Sequence, residues 1–204
     1  MELQERRPDS PGRQRLGPEE RRRQLIDATV AVVSRCGYQN ASLTAIAREA
    51  GVSKGLLWHY FEDGDDLMKQ TVRETLVRVR HAVGESIDLS APIPQVIRAA
   101  IARAAALLET HGPELRAMQE IAQNQQLGQS ELDETHDLQA ALFQRGVDEG
   151  SLRPIDTHTF AVTYQGAVDA MLAYLGRHPE VDRAEYATTV ADILLEGVAV
   201  PQVN

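Results

Sequence analysis

The chain reads as an all-α protein: an N-terminal three-helix helix-turn-helix unit followed by a larger helical domain, about nine helices in all. Three observations predict this. Aromatic residues make up only 4% of the 204 residues, and Ala, Leu, Glu, Gln and Arg, which favour helix, dominate. Apolar residues recur three and four apart between Gly- and Pro-bearing breaks. The stretch Ser42 to Phe61, SLTAIAREAGVSKGLLWHYF, has the form of two short helices joined by a tight turn. The length is too great for one minimal domain and ample for a core. The division expected is an arm at 1–17, a helix-turn-helix domain at 18–64 and a helical regulatory and dimerisation domain at 65–204.

Taken in order, residues 1–17 mix Pro, Gly, Ser and Arg without apolar periodicity and read as a disordered arm. Pro18 to Arg35 is the first helix. Pro18 suits a first helical position, and Glu19 and Glu20 favour its positive end. Leu25, Ala28, Thr29, Val32 and Val33 form its buried face, and Cys36 reads as a buried, inert thiol. Ser42 caps the next helix, which turns Ile46, Ala47 and Ala50 inward. Gly51 makes the turn, and Ser53 is placed to cap a second helix whose Leu57 and Phe61 point back at the first. A fourth helix, Asp65 to about Ile87, turns Leu67, Met68, Val72, Leu76 and Val79 inward and leaves Arg73, Arg78 and Arg80 solvated. Beyond the break at SAPIP come helices at Pro94–Thr110, Glu114–Leu127 and Ser130–Glu149, the last with Leu138, Leu142, Phe143 and Val147 inward. Asp156 caps a helix from Thr157 to about Arg177. Asp182 with Glu185 opens a final one, with Tyr186, Val190, Ile193, Leu194 and Val198 as its stripe.

The outer face of the second short helix points to DNA. Lys54, Gly55, Trp58 and His59 crowd there, and a second helix of this kind is the natural reader of a major groove. The net charge of −9 fits once it is divided. Residues 1–61 carry 10 Lys and Arg against 7 Asp and Glu, so the head is +3 and the remainder −12. A basic head on an acidic body meets phosphates with one end only. Asp133, His136 and Asp137 have a helical spacing that a metal uses, but one histidine without a partner helix is a weak donor set, and no metal or cofactor is expected. Neither a Gly-rich phosphate loop nor a nucleophile elbow is present, so no enzyme is expected. One cysteine excludes an internal disulfide framework. No apolar run approaches a membrane span, so the expectation is a cytoplasmic protein with no membrane partner.

The run S-L-T-x-I-A-x-x-A-G-V-S-K-G-x-L-W-H-Y-F, behind a basic first helix and before a short acidic link, resembles the TetR family of transcriptional regulators over about residues 20–70. The resemblance implies DNA contacts at Ser42, Thr44, Lys54, Gly55, Leu56, Trp58, His59 and Tyr60. Ser42 and Thr44 offer hydroxyls to phosphate, and Lys54 reaches guanine acceptors or phosphate. Two positions depart from the family pattern. Leu56 stands where a small hydroxyl residue is common, and Gly64, within Glu62-Asp63-Gly64-Asp65-Asp66, stands where Lys is favoured. That acidic link weakens the flank, although the backbone amides of the following helix end remain available to a phosphate. The resemblance also implies a ligand pocket in the C-terminal domain, with Met118, Gln119, Gln123, Phe143, Tyr164, Gln165, Asp169 and Met171 as candidates. Asp169 lies amid an apolar helix and needs a partner if buried. By the same resemblance, the last two helices pair with their copies as a homodimer. The expected function is a regulator, by default a repressor, that leaves a palindromic double-stranded operator when a small-molecule effector binds; the alternatives are an activator or ligand-blind regulator of the same fold, or a helical dimer with an enzymatic or interaction role.

Overall fold

The computed structural model describes residues 16–124 and 129–200. The arm expected at residues 1–17 therefore lies, up to Arg15, outside the described residues. Nine α-helices are found among those described: α1 Pro18–Cys36, α2 Leu43–Glu49, α3 Lys54–Leu57, α4 Gly64–Gly84, α5 Ile93–Ala106, α6 Leu108–Asn124, α7 Gln129–Asp148, α8 Thr157–Arg177 and α9 Arg183–Glu196. A 3-10 turn at Tyr38–Asn40 joins α1 to α2.

The starts of these helices follow local chemistry. Glu20 Oε2 accepts the Gly17 N–H at 3.0 Å ahead of Pro18. Ser42 Oγ accepts from Ala45 N at 3.2 Å, Asp63 Oδ1 from Asp66 N at 2.8 Å, and Asp156 Oδ1 from Thr159 N at 2.7 Å. Asp182 Oδ1 takes both Ala184 N and Glu185 N. Each carboxylate or hydroxyl satisfies an amide that the helix cannot. Ser53 is the exception: it stands at the N-cap of α3 but its side chain makes no cap bond. The break expected at His111 is a kink rather than a gap. Non-helical backbone at His111 (φ −124°, ψ 21°) bends α6, and Pro113 follows within its second limb.

Two apolar clusters hold the fold. The first gathers Leu25, Ile26, Val32 and Val33 of α1 with Ile46, Ala47, Leu57 and Phe61, and then Leu67 and Met68 of α4 and Ala117 and Ile121 of α6. The second fills the space between α5, α7, α8 and α9 around Ile93, Ile97, Ile101, Phe143, Phe160, Met171 and Leu195. The helix-turn-helix core is thus closed by side chains from beyond residue 64. The short chain between α7 and α8 pairs with the chain after α9: Arg153 N donates to Val198 O at 2.8 Å and Val200 N to Ser151 O at 3.0 Å.

Several faces differ from the sequence reading. Cys36 is exposed, because α1 ends there and the 3-10 turn swings away from it. Leu138 is 59% exposed and Ile193 68% exposed, each on the outward side of its helix. Arg78 and Arg80 are not simply solvated. Arg78 Nη1 meets Asp27 Oδ1 of α1 at 2.6 Å, and Arg80 donates to Thr135 of α7. No described helix is long and apolar enough to cross a membrane.

Candidate nucleic-acid interface

The reader is built by burying one side and leaving the other bare. Ile46, Ala47 and Ala50 of α2 and Leu57 and Phe61 after the turn are buried. Gly51 turns the chain at φ 65°, a left-handed conformation that glycine adopts without strain. Gln24 Nε2 of α1 donates to Ala50 O at 3.0 Å, fixing the end of α2. α3 itself is only one turn, shorter than the sequence suggests. Beyond Leu57 the chain continues in tighter steps, with His59 N donating to Leu56 O and Tyr60 N to Leu57 O.

This packing leaves Thr44, Lys54, Gly55 and His59 exposed, with Trp58 44% exposed despite its size. Ser42 is also exposed, but its oxygen already serves as the α2 cap, so the hydroxyl proton is what it has left to offer. Tyr60 is half-buried against the N-terminal cluster. Leu56 is half-buried and lines an open cleft of about 480 Å³ with Leu16, Arg21, Gln24, Val52 and Ser53. The surface so formed offers a cation, ring donors and free hydroxyls beside a backbone without side-chain bulk at Gly55. Such a set fits phosphates and base edges. Ser53, exposed and not engaged in capping, is not singled out by the sequence as a contact, because its residue type marks it as a cap, whereas Arg21, Arg22 and Arg23 read there either as phosphate contacts or as partners of nearby glutamates. Of these, Arg22 is tied to Gln70 and Glu74 of α4.

The acidic link is used internally. Asp63 caps α4, and Asp66 accepts from Glu62 N at 2.9 Å and from Gln70 Nε2. The α4 end, expected to hold amides free for phosphate, therefore has its Asp66 amide already filled by a carboxylate.

The ligand candidates fall into three groups. Phe143, Tyr164 and Met171 are buried, and Phe143 meets Phe160 and Tyr164 edge-on at 4.9 and 5.4 Å between ring centroids. Burial pushes the Tyr164 phenol up to about 12, so it stays protonated at neutral pH. Gln165 Nε2 donates to Asp169 Oδ1 and Gln139 Nε2 to Gln165 Oε1, both at 2.8 Å, forming a polar chain between α7 and α8. Asp169 is exposed as a residue, yet its carboxylate is crowded by protein. That crowding raises its pKa, against the opposing effects of Gln165 and His136. Its bonding partner within the chain is thus a glutamine. Met118 and Gln119 are half-buried on α6, and Gln123 is exposed there. Among the described residues, no three His, Cys, Asp or Glu side chains converge as a metal site.

Comparison with known proteins agrees with this geometry. The family model for bacterial regulatory proteins of the tetR family matches residues 25–71, from Leu25 within α1 through the first third of α4. The HTH-type transcriptional regulator BetI of Escherichia coli O139:H28 is 46% identical over 63 residues, and BetI of Klebsiella pneumoniae (strain 342) is matched at the same level. That match takes in 31% of this chain and 32% of those relatives, so the chain spans about a third of their length. The whole fold is similar to a putative tetR family transcription regulator from Shewanella sp. PV-4, with a TM-score of 0.76 at 20% identity over 89% of this chain and 99% of that one. It is also similar to TylP, a tetR regulator from Streptomyces fradiae, with a TM-score of 0.72 at 22% identity over 90% of this chain and 88% of that one. The reader is thus matched in sequence by the tetR family model and by BetI, and the whole chain is matched to tetR regulators in fold alone.

Proposed function

We propose that this chain is a sequence-specific, DNA-binding transcriptional regulator acting as a homodimer on a palindromic operator. The observation that carries the reading is the bare outer face of α3, where Lys54, Gly55, Trp58 and His59 stand exposed on a helix-turn-helix whose other side is buried. One α3 turn reads few base pairs, and a two-fold pair of readers multiplies specificity. Exposed Val162, Gly166 and Ala170 along α8, with Ile193 on α9, supply the apolar face that a second copy would cover. Residues 18–64 would form the reading domain and 65–204 the regulatory and dimerisation domain. The default action is repression by occupying a promoter in the cytoplasm, relieved when a small molecule enters the second domain and changes the spacing of the readers.

The test is substitution on the reading face. Lys54→Ala and Tyr60→Ala each weaken binding to the operator by roughly five- to tenfold or more, as loss of a charge-assisted or phosphate contact implies. Both keep the helical content and oligomeric state of the parent. Unchanged affinity in both variants removes the assignment of this face.

A further inference from the structure

The corner between α1 and α2 is held from outside the reading domain. Gly37 ends α1 in a left-handed conformation (φ 79°), and the 3-10 turn leads from it to Ser42, the cap of α2. Two side chains from the last turn of α6 grip this corner. Glu120 Oε2 accepts the Tyr38 N–H at 3.3 Å, and Asn124 Oδ1 accepts from Gln39 Nε2 at 2.8 Å. Asn124 Nδ2 in turn donates to Glu120 O at 2.8 Å, which fixes the amide in the orientation that receives Gln39. On the same helix, Ala117 and Ile121 are fully buried in the core of the helix-turn-helix. The end of α6 is therefore both a wall of that core and a clamp on the chain entering α2.

We infer that Glu120 and Asn124 are positioning residues for DNA reading, through which the end of α6 acts on the 3-10 turn that leads into α2, beside its packing against α4. The inference rests on the DNA-reading proposal above. A slip of α6 by one residue rise, about 1.5 Å, exceeds the tolerance of either hydrogen bond. Such a slip either drags the corner or releases it. Since α2 packs directly on α3, each outcome alters how the reader is presented.

Three variants test this: Glu120→Ala/Asn124→Ala, Glu120→Gln and Gln39→Ala. The readouts are hydrogen exchange of the amides of residues 38–45, the thermal midpoint, and affinity for a duplex that the wild-type protein selects from random DNA. The double variant is expected to keep its midpoint within a few degrees while the corner amides exchange about five- to tenfold faster and DNA affinity falls by a similar factor. Glu120→Gln keeps an acceptor for Tyr38 and stays within about twofold of wild type. Gln39→Ala, which removes one bond from the surface side, shifts both readouts the same way by less, and decides the matter if the double variant fails to fold. Unchanged exchange and affinity overturn the inference, as does an equal loss in Glu120→Gln. If the wild-type protein selects no duplex, the DNA-reading proposal fails, and hydrogen exchange alone decides the clamp.

Discussion

Replacing Gly55 with alanine adds one methyl group to the outer face of α3, where the free protein has nothing to meet it. Apart from its chain neighbours and the backbone of its own helix, no heavy atom lies within 4 Å of the position that a β-carbon would take there. Nor does the backbone need glycine, since among the described residues the positive-φ glycines are Gly37, Gly51 and Gly150. A glycine inside a helix costs roughly 0.5–1 kcal/mol relative to alanine. The isolated protein therefore loses stability at this position for no structural return. Gly55→Ala is expected to raise stability by up to about 1 kcal/mol, which for a chain of this size is about 2–4 °C in Tm. In the proposed complex with DNA the same methyl group would stand between the reader and the groove wall. If the fit there resembles a packed interior, the added carbon costs about 1–3 kcal/mol, which is roughly fivefold to more than a hundredfold in affinity. Thermal melting and fluorescence anisotropy on one preparation give both numbers. A more stable variant that binds more weakly supports the reading. A variant that binds as tightly as the parent, or that melts lower, refutes the argument that this glycine serves the partner rather than the fold.

Three further outcomes follow from the same coordinates. At Gly146 a β-carbon would lie 2.8 Å from Ile93 Cβ and 2.9 Å from Leu152 Cδ1, so Gly146→Ala is expected to lower stability by about 1–3 kcal/mol in a denaturant titration; a neutral result would mean that α5 and α7 part easily. At Gly64, which is half-exposed, the β-carbon would make ordinary contact with Leu43 Cδ1 at 3.5 Å. Gly64→Lys places a cation in the acidic link, and DNA affinity should rise with a log–log salt slope steeper by about 0.9; an unchanged slope would show that this flank does not reach phosphate. The raised pKa of Asp169 gives a pH signature. A carboxyl raised on folding contributes stability that is present below its unfolded value, about 3.9, and is lost as pH rises through the folded one. Asp169→Asn, neutral and still able to accept from Gln165, should therefore be more stable than wild type at pH 7, with the gap closing by about pH 4. Equal gaps at both values, measured by urea midpoints, would contradict the crowding of that carboxylate.

The helices and the reader were legible because their signals are local. Ser42, Asp156 and Asp182 mark helix starts by offering an oxygen to a nearby amide, and Gly51 marks the turn by lacking a β-carbon. Spacing also put Ile46, Ala47, Leu57 and Phe61 inside. What periodicity cannot give is the identity of the neighbour. Nothing in the spacing of Ala117 and Ile121 says that they complete the N-terminal core rather than that of their own domain. Leu138 and Ile193 are apolar and in phase, yet each ends on an outer face. Arg78 and Arg80 look like surface charges until the packing of α1 and α7 brings Asp27 and Thr135 to them. Ser53 shows the reverse case. Its residue type suits a cap, but the short α3 that follows leaves its side chain unused for that purpose. The ligand candidates were the least legible, because a buried aromatic such as Phe143 carries the same pattern whether it lines a cavity or, as here, packs against Phe160 and Tyr164.

The most direct test of the account is binding of the wild-type protein to labelled duplex DNA from upstream of its own gene and the neighbouring genes. The assay is anisotropy with an excess of nonspecific competitor, at two salt concentrations. The account predicts saturable binding that survives the competitor and weakens as salt rises, because a basic head releases counterions from phosphate while the exposed face of α3 reads the sequence. Binding that the competitor abolishes on every duplex, including those recovered from a random pool, would contradict it.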